Sequence, residues 1–214
     1  MPEVICTTVY QFAELSDAAK SKARSWYRET GPHDDWYDAV YEDFERVCEI
    51  LGIRLKTRPT RLMGGGKRQK PCIWFSGFWS QGDGASFECY YSHAAGSARR
   101  IRDYAPQDVG LYAIADRLQA VQRRNFYQLH AEATHRGRYS HEFCMDIAVE
   151  RVSLTWQPMT DDAEDSVTEA LRDLARWLYR QLEQEYSYQT SDEVVGEAME
   201  VNEYMFTEAG IGFG

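Results

Sequence analysis

CIWFSGFWSQGDGASFECYY, residues 72–91, sets two aromatic, apolar arms around a polar run holding Gly82, Asp83 and Gly84. Glycines supply positive backbone angles and aspartate bonds nearby amides, so residues 73–79 and 86–91 are expected to fold back over a connection at 80–85. Strands joined by so short a connection are antiparallel. Amphipathic segments on either side supply helices to cover one face of the sheet. The fold class expected is α+β, a mainly antiparallel sheet with hairpins covered by amphipathic helices. Large aromatics on both sides of the arms leave some exposed on the uncovered face. Phe78 and Trp79, with Gln81 and Asp83 in the turn, are therefore candidate binding residues.

A second hairpin follows from alternation. Leu129, Ala131 and Ala133 alternate with His130, Glu132 and Thr134, and Phe143, Met145, Ile147 and Val149 alternate with Cys144, Asp146 and Glu150. If Ala133 pairs with Phe143, His130 lies opposite Asp146 and Glu132 opposite Cys144 on the outer face. His130, Glu132 and Asp146, beside Cys144, are the residue types for acid and base work or for a metal. A polar outer face with a cross-strand ion pair accounts for them equally well. No metal and no cofactor is expected, and the protein reads as a binder more than an enzyme.

The helices are read from apolar stripes and caps. A strand at 4–10 precedes a helix capped by Ser16, with Ala19, Ala23 and Trp26 on one face. A second helix opens near Asp34 and Asp35, with Trp36, Val40, Phe44, Val47 and Leu51 as its stripe, and its acidic residues read as its solvated face. Pro106 opens another helix, with Leu111, Ile114, Leu118 and Val121 inward. Val167, Leu171, Leu174, Leu178 and Leu182 form the longest stripe. Ser191 caps the last helix, with Val194, Ala198, Val201 and Met205 expected inward, and glycines make 207–214 a loose tail. One domain is expected over 1–214.

The net charge of −10 is unevenly spread. Residues 1–50 carry 5 basic and 11 acidic side chains, 51–159 carry 16 and 9, and 160–214 carry 3 and 14. Acidic balance argues against broad coating of DNA, but the middle third leaves a local anion site open. From Arg54 to Lys70 there are seven basic residues and no acidic one, around Gly64, Gly65 and Gly66. This predicts a mobile basic loop at 58–71, with Arg61, Lys67 and Arg68 as candidate contacts for a nucleotide or nucleic acid. No P-loop ending follows the glycines. Five widely spaced cysteines read as reduced and buried. With no long apolar run and no signal peptide pattern, a cytoplasmic protein with no membrane contact is expected.

FAELSDAAKSKARSWYR (12–28), WYDAVYEDFE (36–45), FSGFWSQGDGASFE (75–88), RNFYQLHAEATHRGRY (124–139) and LEQEYSYQTSDEVV (182–195) together resemble a family of bacteriophage and prophage proteins often labelled "antitoxin of toxin-antitoxin stability system". The resemblance implies a phage accessory protein in a bacterial host cell. By analogy it acts by binding a host or phage protein, a component of host defence or a toxin, in counter-defence. It brings no catalytic residue with it, and it leaves the oligomeric state open.

Overall fold

The computed structural model describes residues 7–30, 35–61 and 64–213. In chain order these form β1 (Tyr10–Gln11), α1 (Asp17–Thr30), α2 (Asp38–Leu51), β2 (Ile53–Leu55), β3 (Thr57–Arg61), β4 (Lys67–Pro71), β5 (Ile73–Phe75), β6 (Ala85–Phe87), β7 (Cys89–Ser92), α3 (Ser97–Tyr104), α4 (Val109–Arg124), β8 (Leu129–His135), β9 (Met145–Arg151), α5 (Ala163–Gln189), α6 (Asp192–Val201) and β10 (Met205–Phe206). Every strand pairing is antiparallel, so the fold is α+β as the hairpins predict. Where one domain is expected from the sequence, the chain divides into two compact units, Met1–Asp38 with Glu183–Gly214, and Ala39–Leu182. Among the described residues no helix is long and apolar enough to cross a membrane.

In the first unit Ser16 caps α1, its Oγ accepting from the Ala19 amide at 3.4 Å. Ala19 and Ala23 face a core of Phe12, Leu15, Val195, Met199 and Phe206. The inward residues of α6 are thus Val195 and Met199, one position on from the expected set, and Val201 is exposed. Ser191 does cap that helix, accepting from Val194 N at 3.3 Å. Of the strand expected at 4–10, residues 4–6 and with them Cys6 lie outside the described residues, and Tyr10–Gln11 pairs with β10.

Of the tail expected to be loose, residues 207–213 are folded back and hydrogen-bonded. Thr207 N donates to Ile211 O at 2.9 Å and Phe213 N to Met205 O at 2.8 Å, folding the chain back on β10. Gly210 sits at φ +77°, and a Cβ there would stand 2.1 Å from Ala19 O. Glycine allows this turn because its backbone, without a side chain, can lie directly against α1.

The second unit holds the four-stranded sheet β2-β7-β8-β9. Its inner face, with Ile53, Tyr91, Leu129, Ala131, Ala133 and Met145, is buried, as are the expected stripes of α4 and α5 and Phe44, Val47 and Leu51 of α2, whereas Trp36 precedes that helix and Val40 is half-buried. Asp108 rather than Pro106 opens α4: its Oδ1 accepts from Leu111 N at 2.8 Å and its Oδ2 from Trp177 Nε1 at 2.6 Å. Cys48, Cys72 and Cys89 are free and buried, and burial pushes the Cys89 thiol up to about 12. These thiols pack as small apolar groups.

Replacing Gly210 by valine combines a strained backbone with a collision against α1 and is expected to cost roughly 2–4 kcal/mol. Valine at Gly65, where φ is +89° but no atom lies within 4 Å of an added Cβ, should cost roughly 1 kcal/mol. Urea titrations giving equal losses for both variants contradict the packed tail.

Candidate functional site

The outer face of the four-stranded sheet follows from period two and its register. On β8 the even residues His130, Glu132 and Thr134 point away from the core. Ala133 pairs with Ile147 rather than Phe143, which slides β9 by four residues from the expected register. His130 therefore lies opposite Glu150 and Ser92, Glu132 opposite Ala148 and Tyr90, and Thr134 opposite Asp146. The cause is local. Residues 142–144 form a 3₁₀ turn in which His141 accepts from Phe143 N at 3.2 Å, so the ladder begins at Met145 and Phe143 is exposed.

The acid–base grouping accordingly does not assemble. Asp146 pairs with Arg136 at 2.8 Å. Glu132 pairs with Lys56 at 2.6 Å, and that bond holds its carboxyl below the usual range. Cys144 lies off the strand, its Sγ at 3.7 and 3.8 Å from the two ring nitrogens of His141. Among the described residues no group of three or more His, Cys, Asp or Glu is arranged to hold a metal ion.

This register builds a shallow depression of about 780 Å³ instead, lined by Arg54, Tyr90, Ser92, His130, Glu132, Ala148 and Glu150 among others. Tyr90, 42% exposed, carries the Arg54 guanidinium 5.1 Å and the Lys56 ammonium 4.8 Å from its ring centroid. Ala148 and Ser92 are small, which keeps the floor open beside the ring. The side chains of His130 and Glu150 make no hydrogen bond or ion pair among the described residues.

The segment expected as a mobile loop at 58–71 is instead a two-stranded ribbon. Thr57–Arg61 pairs with Lys67–Pro71, and Gly64 to Gly66 lie toward its tip. Threonines and alternation suit a strand, and the glycines confine the reversal to the end. Arg58 lies directly opposite Lys70 and Arg61 opposite Lys67. Arg68, across from Thr60, shares the face of Arg58 and Lys70, whereas Arg61 and Lys67 are on the other. Of the seven basic residues from Arg54 to Lys70, Lys56 has an ion pair and the other six have none among the described residues. Lys56 continues β2 into β3, its amide donating to Glu88 O and its carbonyl accepting from Cys72 N. Arg58 reaches Trp74, 5.3 Å from the ring centroid, and that ring stacks on His135 at 4.6 Å. Ser86 Oγ is 3.0 Å from His135 Nδ1. Trp74 was visible as a hairpin aromatic and Arg58 as one of the seven basic residues, but neither their meeting with His135 nor the place of Tyr90 could be read from the sequence, where Arg54, Lys56 and Arg58 at alternate positions were the signal.

In the opening stretch the strands stop at Phe75 and resume at Ala85, so 76–84 is a longer connection than expected. Asp83 holds it: Oδ2 accepts from Trp79 N at 3.1 Å and Ser80 N at 2.6 Å. Gly82 has φ +94°, and a Cβ on Gly84 would stand 2.6 Å from that of His141. Phe78 packs near Phe75 and Tyr179, whereas Trp79 is 79% exposed and Gln81 is exposed in the turn.

The fold and site together define an α+β protein with an open sheet face and a basic ribbon. Residues 36–192 match the family described as Domain of unknown function (DUF8835), and the chain belongs to that family. No curated protein and no solved structure matches it.

Asp83→Ala removes the acceptor of two turn amides and should lower stability by about 1 kcal/mol, whereas Trp79→Ala should change it by less than about 0.5 kcal/mol. Thermal melts of the two variants check this. A larger loss for Trp79→Ala would make that ring structural.

Proposed function

We propose that the protein is a nucleic-acid-binding protein whose basic β3–β4 ribbon takes the phosphate backbone. The observation that carries the reading is two like-charged pairs, Arg58 opposite Lys70 and Arg61 opposite Lys67, on a ribbon whose cations have no carboxylate partner among the described residues. Like charges directly across a ladder repel, and phosphates laid along the ribbon relieve that repulsion. Arginine and lysine both suit phosphate, arginine with a planar fork and lysine as a point charge. The resemblance to phage and prophage proteins supplies an accessory setting for such binding inside a bacterial cell.

A second reading, binding of a host or phage protein as in counter-defence, is favoured by the exposure of Trp79 and by Leu154 and Trp156, which are 97% and 94% exposed. Tryptophan is enriched among the anchors of protein contacts.

The triple variant Arg61→Ala, Lys67→Ala, Arg68→Ala should weaken binding of labelled oligonucleotides at low salt. It should also flatten the plot of log affinity against log salt by about 2, each phosphate contact contributing roughly 0.7–0.9. An affinity and slope equal to those of the parent reduce the ribbon to an ordinary hairpin.

A further inference from the structure

We infer that the ligand of the ribbon is single-stranded RNA, and that the open sheet face takes one of its bases on Tyr90. The inference rests on the nucleic-acid reading above and adds a second, independent part of the molecule to it. Arg54, Lys56 and Arg58 alternate along one extended chain that runs from the sheet into the ribbon. A nucleic acid held by the ribbon therefore has a path of cations leading to the depression beside Tyr90.

The contents of that depression select the occupant. The Tyr90 ring, 42% exposed and with the Arg54 guanidinium over it, offers a stack that a base face can join, and a base is free to do so only when it has left its own helix. The floor beside the ring is small-sided at Ala148 and Ser92, and a volume of about 780 Å³ admits a nucleotide. Around it stand Glu132, Glu150 and His130. Carboxylates next to a phosphate path are unfavourable unless the ligand brings hydrogen-bond donors to them. Base amino groups are such donors, and ribose adds a 2′-hydroxyl at every nucleotide where deoxyribose has none. Glu150 has no protein partner among the described residues and is free to accept from either group. The cations of the ribbon neutralise the backbone, and on the sheet face, where Glu132 is already paired with Lys56, Glu150 is the carboxylate left to read sugar and base.

The test measures affinity by fluorescence anisotropy at low salt, with the full chain and three ligands of one mixed sequence: single-stranded RNA, single-stranded DNA and duplex RNA. The parent should prefer single-stranded RNA to either other ligand by roughly ten-fold. Tyr90→Leu should lower affinity for single-stranded RNA by roughly five- to hundred-fold, the range of one lost base stack. Tyr90→Phe, which keeps the ring, should restore it. Because Tyr90 is partly exposed, both variants should melt like the parent; if Tyr90→Leu melts lower, the exposed Arg54→Gln takes its place and should weaken RNA binding with normal folding. The inference is overturned, with the ribbon reading intact, if the ribbon triple variant weakens all three ligands while Tyr90→Leu changes none. Equal affinity for DNA or for the duplex overturns it as well. A parent that binds none of the three at low salt removes both the inference and the reading beneath it.

Discussion

The buried carboxamide of Gln122 governs the arrangement of the sheet. Its Oε1 accepts from Leu129 N at 3.1 Å, while its Nε2 donates to Leu129 O at 2.8 Å and to Tyr91 Oη at 3.2 Å. A helix side chain thus supplies both hydrogen bonds that a neighbouring strand would give the first residue of β8. Left unmade in the core, those groups would cost about 1–3 kcal/mol each. The clamp also fixes a tight entry to the strand. Phe126 and Tyr127 adopt positive φ of 55° and 62°, which costs roughly 1–2 kcal/mol per residue. Tyr127 N donates to Gln122 O at 2.7 Å, and buried Asn125 bonds Val121 O and Thr160 on either side. With Leu129 inward, period two sends Ala131 and Ala133 into the core and His130 and Glu132 to the outside.

From that single constraint the wet face inherits its chemistry. Glu132 comes beside Tyr90 and within reach of Lys56, and His130 comes beside Ser92 and Glu150. A slip of one residue would bury the charges and expose the alanines. The slip of four residues that separates the expected and observed β8–β9 registers keeps the faces but changes every cross-strand neighbour on β9, and it dissolves the acid–base group while bringing the small Ala148 beside Glu132. Of the carboxylates behind the overall charge of −10, screening leaves only those within roughly 8–10 Å to act on the ribbon, among them Glu42, Glu45 and Glu49, which line a depression with Arg68.

What could be read from the sequence was what depends on local periodicity and short-range bonding. The stripes of α2, α4 and α5, the caps at Ser16 and Ser191 and the turn-forming role of Asp83 each rest on residues within a few positions of one another. Register was not legible, because alternation fixes which face a residue takes but not which partner it meets, and the 3₁₀ turn at 142–144 used residues that also fit the strand pattern. Glycine misled twice. Near the tip of the ribbon it allows a reversal and at Gly210 a close backbone approach, and neither can be told from flexibility without the distant residue it packs against. On α6 the inward face turned by one position because Gly196 lies against Phe12, which its sequence does not announce.

The claim that the sheet face and ribbon form one nucleic-acid surface is tested most directly by photo-crosslinking. The full chain would be irradiated with 4-thiouridine-containing single-stranded RNA, digested, and its adducts located by mass spectrometry. Adducts at Tyr90 and on the peptides of β2, β3 and β4, suppressed by unlabelled RNA, are the result expected. Adducts confined to the exposed rings of Trp79 or Trp156, with none on the sheet face, would contradict it.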